Sequence, residues 1–194
     1  AMNSCLYCYE PLSENQVGDY HPHCVKKFFG TLHAPLLPYH LSEMEILAKQ
    51  IAERSITVPG VQPKLSLGWI KTELKNDHQG RLTILDALEG MYILKPQNLH
   101  YPQLPENEHL SMRLAELMNI EVVPSTLIRL ASGELSYLTK RIDRKEDHSK
   151  IHMIDFLQIL ELEDKYTSTR DSCTQFCHLS FDPCWIIFCL GKSR

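Results

Sequence analysis

The spacing of apolar positions changes character several times along the chain, and each change marks an expected element. Residues 1–30 are polar and cysteine-bearing with no sustained period, and they end on Lys26-Lys27-Phe28-Phe29-Gly30, whose two aromatics suit pinning a small knuckle onto a larger body. Pro35, Pro38 and Tyr39 punctuate a linker; Ser42 then caps a helix carrying Met44, Leu47, Ala48 and Ile51 at helical spacing, which stops before the turn signal Pro59-Gly60. From Val61 the pattern shortens to alternating runs rich in branched and aromatic residues, predicting antiparallel strands over Leu65–Ile70, Leu82–Leu85 and Met91–Leu94.

Pro105, Glu106 and Glu108 open an amphipathic helix running to about Asn119, with Leu110, Leu114, Leu117 and Met118 on one face. Strands are expected again at Ser125–Leu130 and Leu135–Ile142, separated by Ser132-Gly133, and a last helix at Met153–Leu162. Residues 166–194 return to an unpatterned stretch that contains four cysteines. This order of elements predicts an α+β fold: one main domain over residues 31–165 with an antiparallel sheet and a packing helix, an appendage over 2–30, and a divergent tail over 166–194.

Composition narrows the function classes. With 194 residues and 43% hydrophobic content the chain can bury one sizeable core. A formal net charge of −4 with 20 scattered Lys and Arg lacks the basic footprint of a nucleic-acid binder, so no direct nucleic-acid contact is expected. No run approaches the roughly 20 apolar residues that span a bilayer, so neither a membrane partner nor any location other than the cytoplasm is expected.

The cysteines are odd in number, which disfavours a closed disulfide framework. Cys5-x2-Cys8, followed after twelve residues by His21-x2-Cys24, has the paired spacing that lets two tight turns aim four ligands at one tetrahedral zinc ion. His23 is an alternative to His21, and free thiols or a redox pair are the competing readings. Zinc is favoured because no βαβ pattern surrounds Cys5 and Cys8. Cys173, Cys177, Cys184 and Cys189, even with His178, do not have the spacing of a ligand pair.

Two lysines carry the remaining chemistry. Ser55-Ile-Thr57-Val-Pro-Gly60-Val-Gln-Pro-Lys64-Leu-Ser66 is a turn-rich entry into a strand, where backbone amides and one ammonium group suit a phosphate chain. Lys95 ends an apolar strand, as the phosphate-holding lysine of protein kinases does, and Glu108 in the next helix is placed to orient it. Glu108 also suits the ordinary role of a first-turn carboxylate.

Taken in order, Gly60–Ser66, Ile93-Leu-Lys95-Pro96, Asn107–Ala115, Arg141–Arg144 and Met153-Ile-Asp155-Phe156-x-Gln158 resemble the front half of the HipA-like toxin serine/threonine kinases. The cysteine-rich front end resembles that of some shorter members of the family. The resemblance implies a kinase amino-terminal lobe in which Lys64 and Lys95 contact ATP phosphates and Glu108 orients Lys95. It further implies a hinge formed by Thr139, Lys140, Arg141, Ile142 and Asp143, with Asp143 near the ribose. Thr57, with Ser55 as a neighbouring alternative, falls at the family's autophosphorylation position, where added charge opposes the ATP loop.

The resemblance also implies magnesium, aminoacyl-tRNA synthetases as the substrate class, and a HipB-type antitoxin or a complementing kinase chain as partner. Phosphoryl transfer needs a catalytic-loop carboxylate and magnesium ligands from a second lobe. No segment here matches them, and Gly18-Asp19-Tyr20-His21 resembles the catalytic Asp-x-His only superficially because it precedes the nucleotide loop. The expectation is therefore no catalytic residue in this chain: the front of an interrupted kinase, inactive alone, with a tail that has the look of an out-of-frame reading.

Overall fold

The computed structural model describes residues 3–44, 46–47, 65–70, 81–85, 90–97, 103–143, 145 and 151. Its elements are α1 (Pro22–Phe29), β1 (Leu65–Ile70), β2 (Arg81–Leu85), β3 (Tyr92–Pro96), α2 (Leu104–Leu117), β4 (Ser125–Arg129) and β5 (Leu135–Lys140). Residues 41–44 and 46–47 are also helical, as the apolar spacing predicts, but the helix already includes Leu41, so Ser42 lies inside it rather than capping it, and His40 N–H donates to Glu43 Oε2 at 2.7 Å across its start. Among the described residues no helix is long and apolar enough to cross a membrane. The expected helix at 153–162 and the tail at 166–194 lie outside the described residues.

The five strands form one antiparallel sheet in the order β2-β1-β3-β5-β4. Register pairs Leu94 with Leu138, Thr126 with Leu138, and Tyr92 with Lys140, which puts these side chains on one face. Lys95 pairs with Tyr137 and Leu127 with Tyr137, so they share the other face. Leu94, Leu138 and Thr126 are fully buried, and Leu127 and Tyr137 nearly so. Alternating side chains on β4 and β5 are therefore covered on both faces of the sheet, which explains why these strands read as mixed apolar and hydroxyl runs.

The first face is covered by the amino-terminal knuckle and the linker. Phe28 and Phe29 of α1 are buried, Phe28 lies 6.1 Å from the Tyr92 ring, and Leu37 and Met44 join the same core. Helix α1 was not expected from apolar spacing. Its ends nonetheless carry recognisable signals: Pro22 at its start, Lys26 and Lys27 in its last turn, and Gly30 in the left-handed conformation (φ 74°) at its C-cap.

The knuckle also closes the free edge of the sheet. Leu127 N–H donates to Leu6 O at 3.2 Å, and Tyr20 Oη donates to Leu127 O. Both outward-facing polar groups of this edge residue are thus satisfied within the chain, which removes a site for pairing with another strand. Arg129 holds Asp19 through two 3.1 Å hydrogen bonds further along the same edge. Asp19 and Tyr20 thus both contact β4.

Helix α2 appears where expected, but its apolar stripe faces away from the sheet. Leu110, Leu114, Leu117 and Met118 are 48%, 51%, 78% and 74% exposed, whereas Pro105 and His109 are buried. The helix approaches the sheet along the side that carries Pro105, Glu108 and His109, a more polar stripe than its sequence pattern selects.

Candidate functional site

Two constellations stand close together, one in the knuckle and one between β3 and α2. In the knuckle, ligand atoms of Cys5, Cys8, His21 and Cys24 all lie within 4.8 Å of one another. Cys5 and Cys8 flank a turn closed by Tyr9 N–H to Cys5 O at 2.9 Å, while His21 and Cys24 stand at the start of α1. The 3.5 Å between Cys8 Sγ and His21 Nδ1 is close to the roughly 3.6 Å edge of a tetrahedron built from ordinary zinc–sulfur and zinc–nitrogen bonds. His21 Nε2 is 3.2 Å from Pro11 O, so a proton on Nε2 leaves Nδ1 as a lone pair turned toward the thiols.

The thiols are prepared for a cation. Burial works to raise the Cys5 thiol, but hydrogen bonding with the backbone of Cys8, His21 and Tyr7 brings it down to about 7. Burial, together with Cys8 and Cys5, pushes Cys24 up to about 12. A soft, tetrahedral divalent ion such as zinc fits a set of three sulfurs and one imidazole. His23 is the neighbour rather than the member: its ring stacks on His21 at 5.2 Å, and its Nε2 lies 3.3 Å from Cys24 Sγ.

In the second constellation, Lys95 Nζ at the end of β3 donates a hydrogen bond to Glu108 Oε1 in the second turn of α2. Lys95 also lies 5.3 Å above the Tyr137 ring, and both partners of the ion pair are about one-fifth exposed. An ammonium group fixed by a carboxylate and an aromatic face, yet still open to solvent, can accept a second anion such as a phosphate oxygen.

Beyond β5 the chain turns through Arg141, Ile142 and Asp143. Arg141 N–H donates to Met91 O at 2.8 Å, and the Arg141 side chain grips Asp143 through hydrogen bonds of 2.8 and 2.6 Å. Thr139 and Lys140 belong to β5 itself. Thr139 Oγ1 donates to Pro124 O at 3.1 Å, and Lys140 Nζ lies 5.4 Å over the Phe28 ring, where burial lowers its pKa. Ile142 is half-buried. Ser55, Thr57 and Lys64 lie outside the described residues.

Sequence patterning missed two residues beside these sites, Tyr9 and His109. His109 follows Glu108, is fully buried, and places Nδ1 2.6 Å from Tyr9 Oη. Burial depresses His109 to about 4, against an opposing contribution from the Ser125 backbone and with a smaller push from the Arg113 charge. Nothing local in the sequence marks a histidine in a helix's second turn as buried, because its partner lies a hundred positions away.

The chain is similar to known proteins. A Haemophilus influenzae protein named "Putative kinase" is 28% identical over 173 residues, covering 85% of this chain and 47% of its own length. A Sinorhizobium fredii protein named "Putative kinase Y4mE" is 34% identical over 119 residues, covering 58% of this chain and 26% of its own. The chain thus spans about half the length of the first relative and about a quarter of the second. The HipA-like C-terminal domain family matches residues 56–181, a span that takes in the strand lysine, its helix glutamate and the segment after β5 and reaches into the tail, and the chain belongs to that family.

Proposed function

We propose that this chain forms the nucleotide-facing lobe of a HipA-like toxin-antitoxin serine/threonine protein kinase and binds ATP. The observation that carries the reading is the ion pair between Lys95 on β3 and Glu108 on α2. Protein kinases hold their phosphate-binding strand lysine with a helix glutamate in this way, and the pair fixes the ammonium group where phosphate oxygens arrive. Lys64 would supply a second cation. The backbone from Thr139 to Asp143, tied to the segment before β3 through Met91 O, would read the adenine edge, with Asp143 near the ribose.

Thr57, or Ser55 beside it, is the proposed autophosphorylation site that would switch this face off by like-charge repulsion. Magnesium, where bound, would neutralise charge on the phosphates. Among these 194 residues no segment matches the family's catalytic carboxylate or magnesium ligands, so the proposed activity of this chain by itself is binding rather than transfer. Zinc is the proposed ion of the knuckle, with Cys5, Cys8, His21 and Cys24 as its ligands.

A second reading has its own observation. The exposed stripe of Leu110, Leu114, Leu117 and Met118 favours a non-catalytic protein-binding module, seated against a HipB-type antitoxin or a complementing kinase chain. An aminoacyl-tRNA synthetase is the substrate class that the assembled kinase would modify.

Calorimetric titration with magnesium-ATP, comparing the parent with Lys95→Ala, tests the first reading. Saturable binding that the substitution abolishes supports it. No binding at millimolar ATP rejects it and leaves the protein-binding module.

A further inference from the structure

The position of α2 decides whether Glu108 reaches Lys95, yet the helix's own leucines do not hold it in place. Leu110, Leu114, Leu117 and Met118 are turned outward. On the inner side the residue after Glu108 is His109, whose ring meets the Tyr9 ring edge-on at 5.2 Å and shares a 2.6 Å hydrogen bond with its hydroxyl. The same imidazole lies 6.3 Å from the Tyr137 ring, over which Lys95 Nζ sits. One turn further along, the Arg113 guanidinium lies 5.7 Å over the Tyr7 ring. Tyr7 and Tyr9 are the two sequence neighbours of Cys8, so α2 meets the knuckle at the residues that bracket a metal ligand.

The backbone of Tyr9 adds an independent sign. Its φ is 67°, a left-handed conformation that glycine adopts freely and an aromatic residue does not. Tyr9 is the last residue of the turn that its N–H closes on Cys5 O. Strain tolerated by a bulky residue is a pointer to a use for its side chain. Here the use is visible, because the left-handed turn delivers the Tyr9 hydroxyl to His109 across 100 positions of sequence.

We infer that Tyr9 and His109 are positioning residues for the Lys95–Glu108 pair, through which the metal-organised knuckle sets the placement of α2 and hence the affinity for nucleotide. The nucleotide part of this inference rests on the ATP-binding reading above; the placement of the helix does not. Tyr9→Phe keeps the ring and deletes the hydroxyl. His109→Asn keeps an acceptor close to the Nδ1 position, whereas His109→Leu removes it.

The test measures three quantities on the full chain: bound zinc by chelating-dye release, amide hydrogen exchange across residues 104–117, and the magnesium-ATP Kd. Tyr9→Phe is expected to keep its zinc and its cooperative melt, to exchange the α2 amides at least five-fold faster, and to raise the Kd about five- to ten-fold. His109→Asn should lie nearer the parent than His109→Leu in both exchange and Kd. Unchanged α2 exchange in Tyr9→Phe overturns the inference, as does loss of zinc, which would make Tyr9 a structural part of the knuckle alone. Unchanged Kd in a Tyr9→Phe protein whose parent binds ATP also overturns it. A parent that binds no ATP rejects the nucleotide reading by itself, and α2 exchange then still decides whether Tyr9 and His109 position the pair.

Discussion

Cys8 Sγ and His21 Nδ1 face each other across 3.5 Å, although they come from two different turns of the knuckle. His21, rather than His23, is the imidazole that joins Cys5, Cys8 and Cys24 in a cluster able to hold a metal ion. His21→Ala should abolish stoichiometric zinc binding, and His23→Ala should leave it intact, as read by metal analysis of the purified proteins. Because a structural ion contributes folding free energy directly, chelation should lower the melting temperature of the parent by about 10 °C or more and that of His21→Ala by little. Equal metal content in both variants would reject the assignment.

Glu108 and Lys95 are each about one-fifth exposed, so their ion pair contributes little to stability while fixing the ammonium group. Glu108→Gln should therefore change unfolding free energy by at most about 1 kcal/mol. It should weaken magnesium-ATP binding about ten-fold, because the lysine loses its orienting charge. Urea denaturation and calorimetry on the same preparations separate the two effects. A large stability loss with unchanged nucleotide affinity would reassign the pair to a purely structural role.

Most of the sheet was legible in the sequence because short runs of branched and aromatic residues between turn signals mark strands: all five strands fall within one or two residues of the expected bounds. Helix α2 was legible as a helix but not in its orientation. Periodicity finds the apolar stripe, and the sheet instead receives the stripe of Pro105, Glu108 and His109. The cluster of Cys5, Cys8, His21 and Cys24 was legible because the spacing within each pair is local. Tyr9 and His109 were not, because a tertiary contact between distant residues leaves no trace in either neighbourhood. Helix α1 could have been found from Pro22 and Gly30, which bracket it as start and stop signals.

His109 makes stability depend on pH. Its pKa falls from 6.5 in the unfolded chain to about 4 in the fold, so between these values the unfolded state binds more protons and stability rises with pH. The full contribution is present above pH 6.5 and is lost as pH falls toward 4. The shift corresponds to about 3 kcal/mol at its limit. Tyr9 and Tyr137 pack on the imidazole, and the Arg113 charge adds to the depression. Any metal held by the knuckle would also be released in acid, so the measurement is the difference between the parent and His109→Asn. Urea unfolding at pH 7 and pH 4.5 should show the parent losing about 2 kcal/mol more than the variant.

Tyr20 is buried, its hydroxyl donates to the edge carbonyl of Leu127, and burial raises its pKa, so it stays neutral. Tyr20→Phe deletes that donor without changing ring packing against Phe29. It should cost about 1–2 kcal/mol, because the buried Leu127 O then keeps only the 3.1 Å hydrogen bond from Thr126 Oγ1. Arg129→Ala, which breaks a solvent-exposed pair with Asp19 on the same edge, should cost no more than about 1 kcal/mol. Equal losses in the two variants would mean that the knuckle is held to β4 by charge rather than by the Tyr20 contact.

The outward stripe of α2 makes a prediction opposite to the one its sequence pattern implies. If Leu114 and Leu117 were core residues, each polar replacement would cost several kcal/mol; at 51% and 78% exposure they are not. Leu114→Gln and Leu117→Gln keep helix propensity and should each change stability by no more than about 0.5 kcal/mol. Leu94→Ala, at a fully buried position on β3, should cost about 2–5 kcal/mol in the same urea experiment. A loss at Leu114 comparable to that at Leu94 would mean that the stripe is covered within the chain. A near-zero loss leaves an apolar helix face that the described residues do not bury.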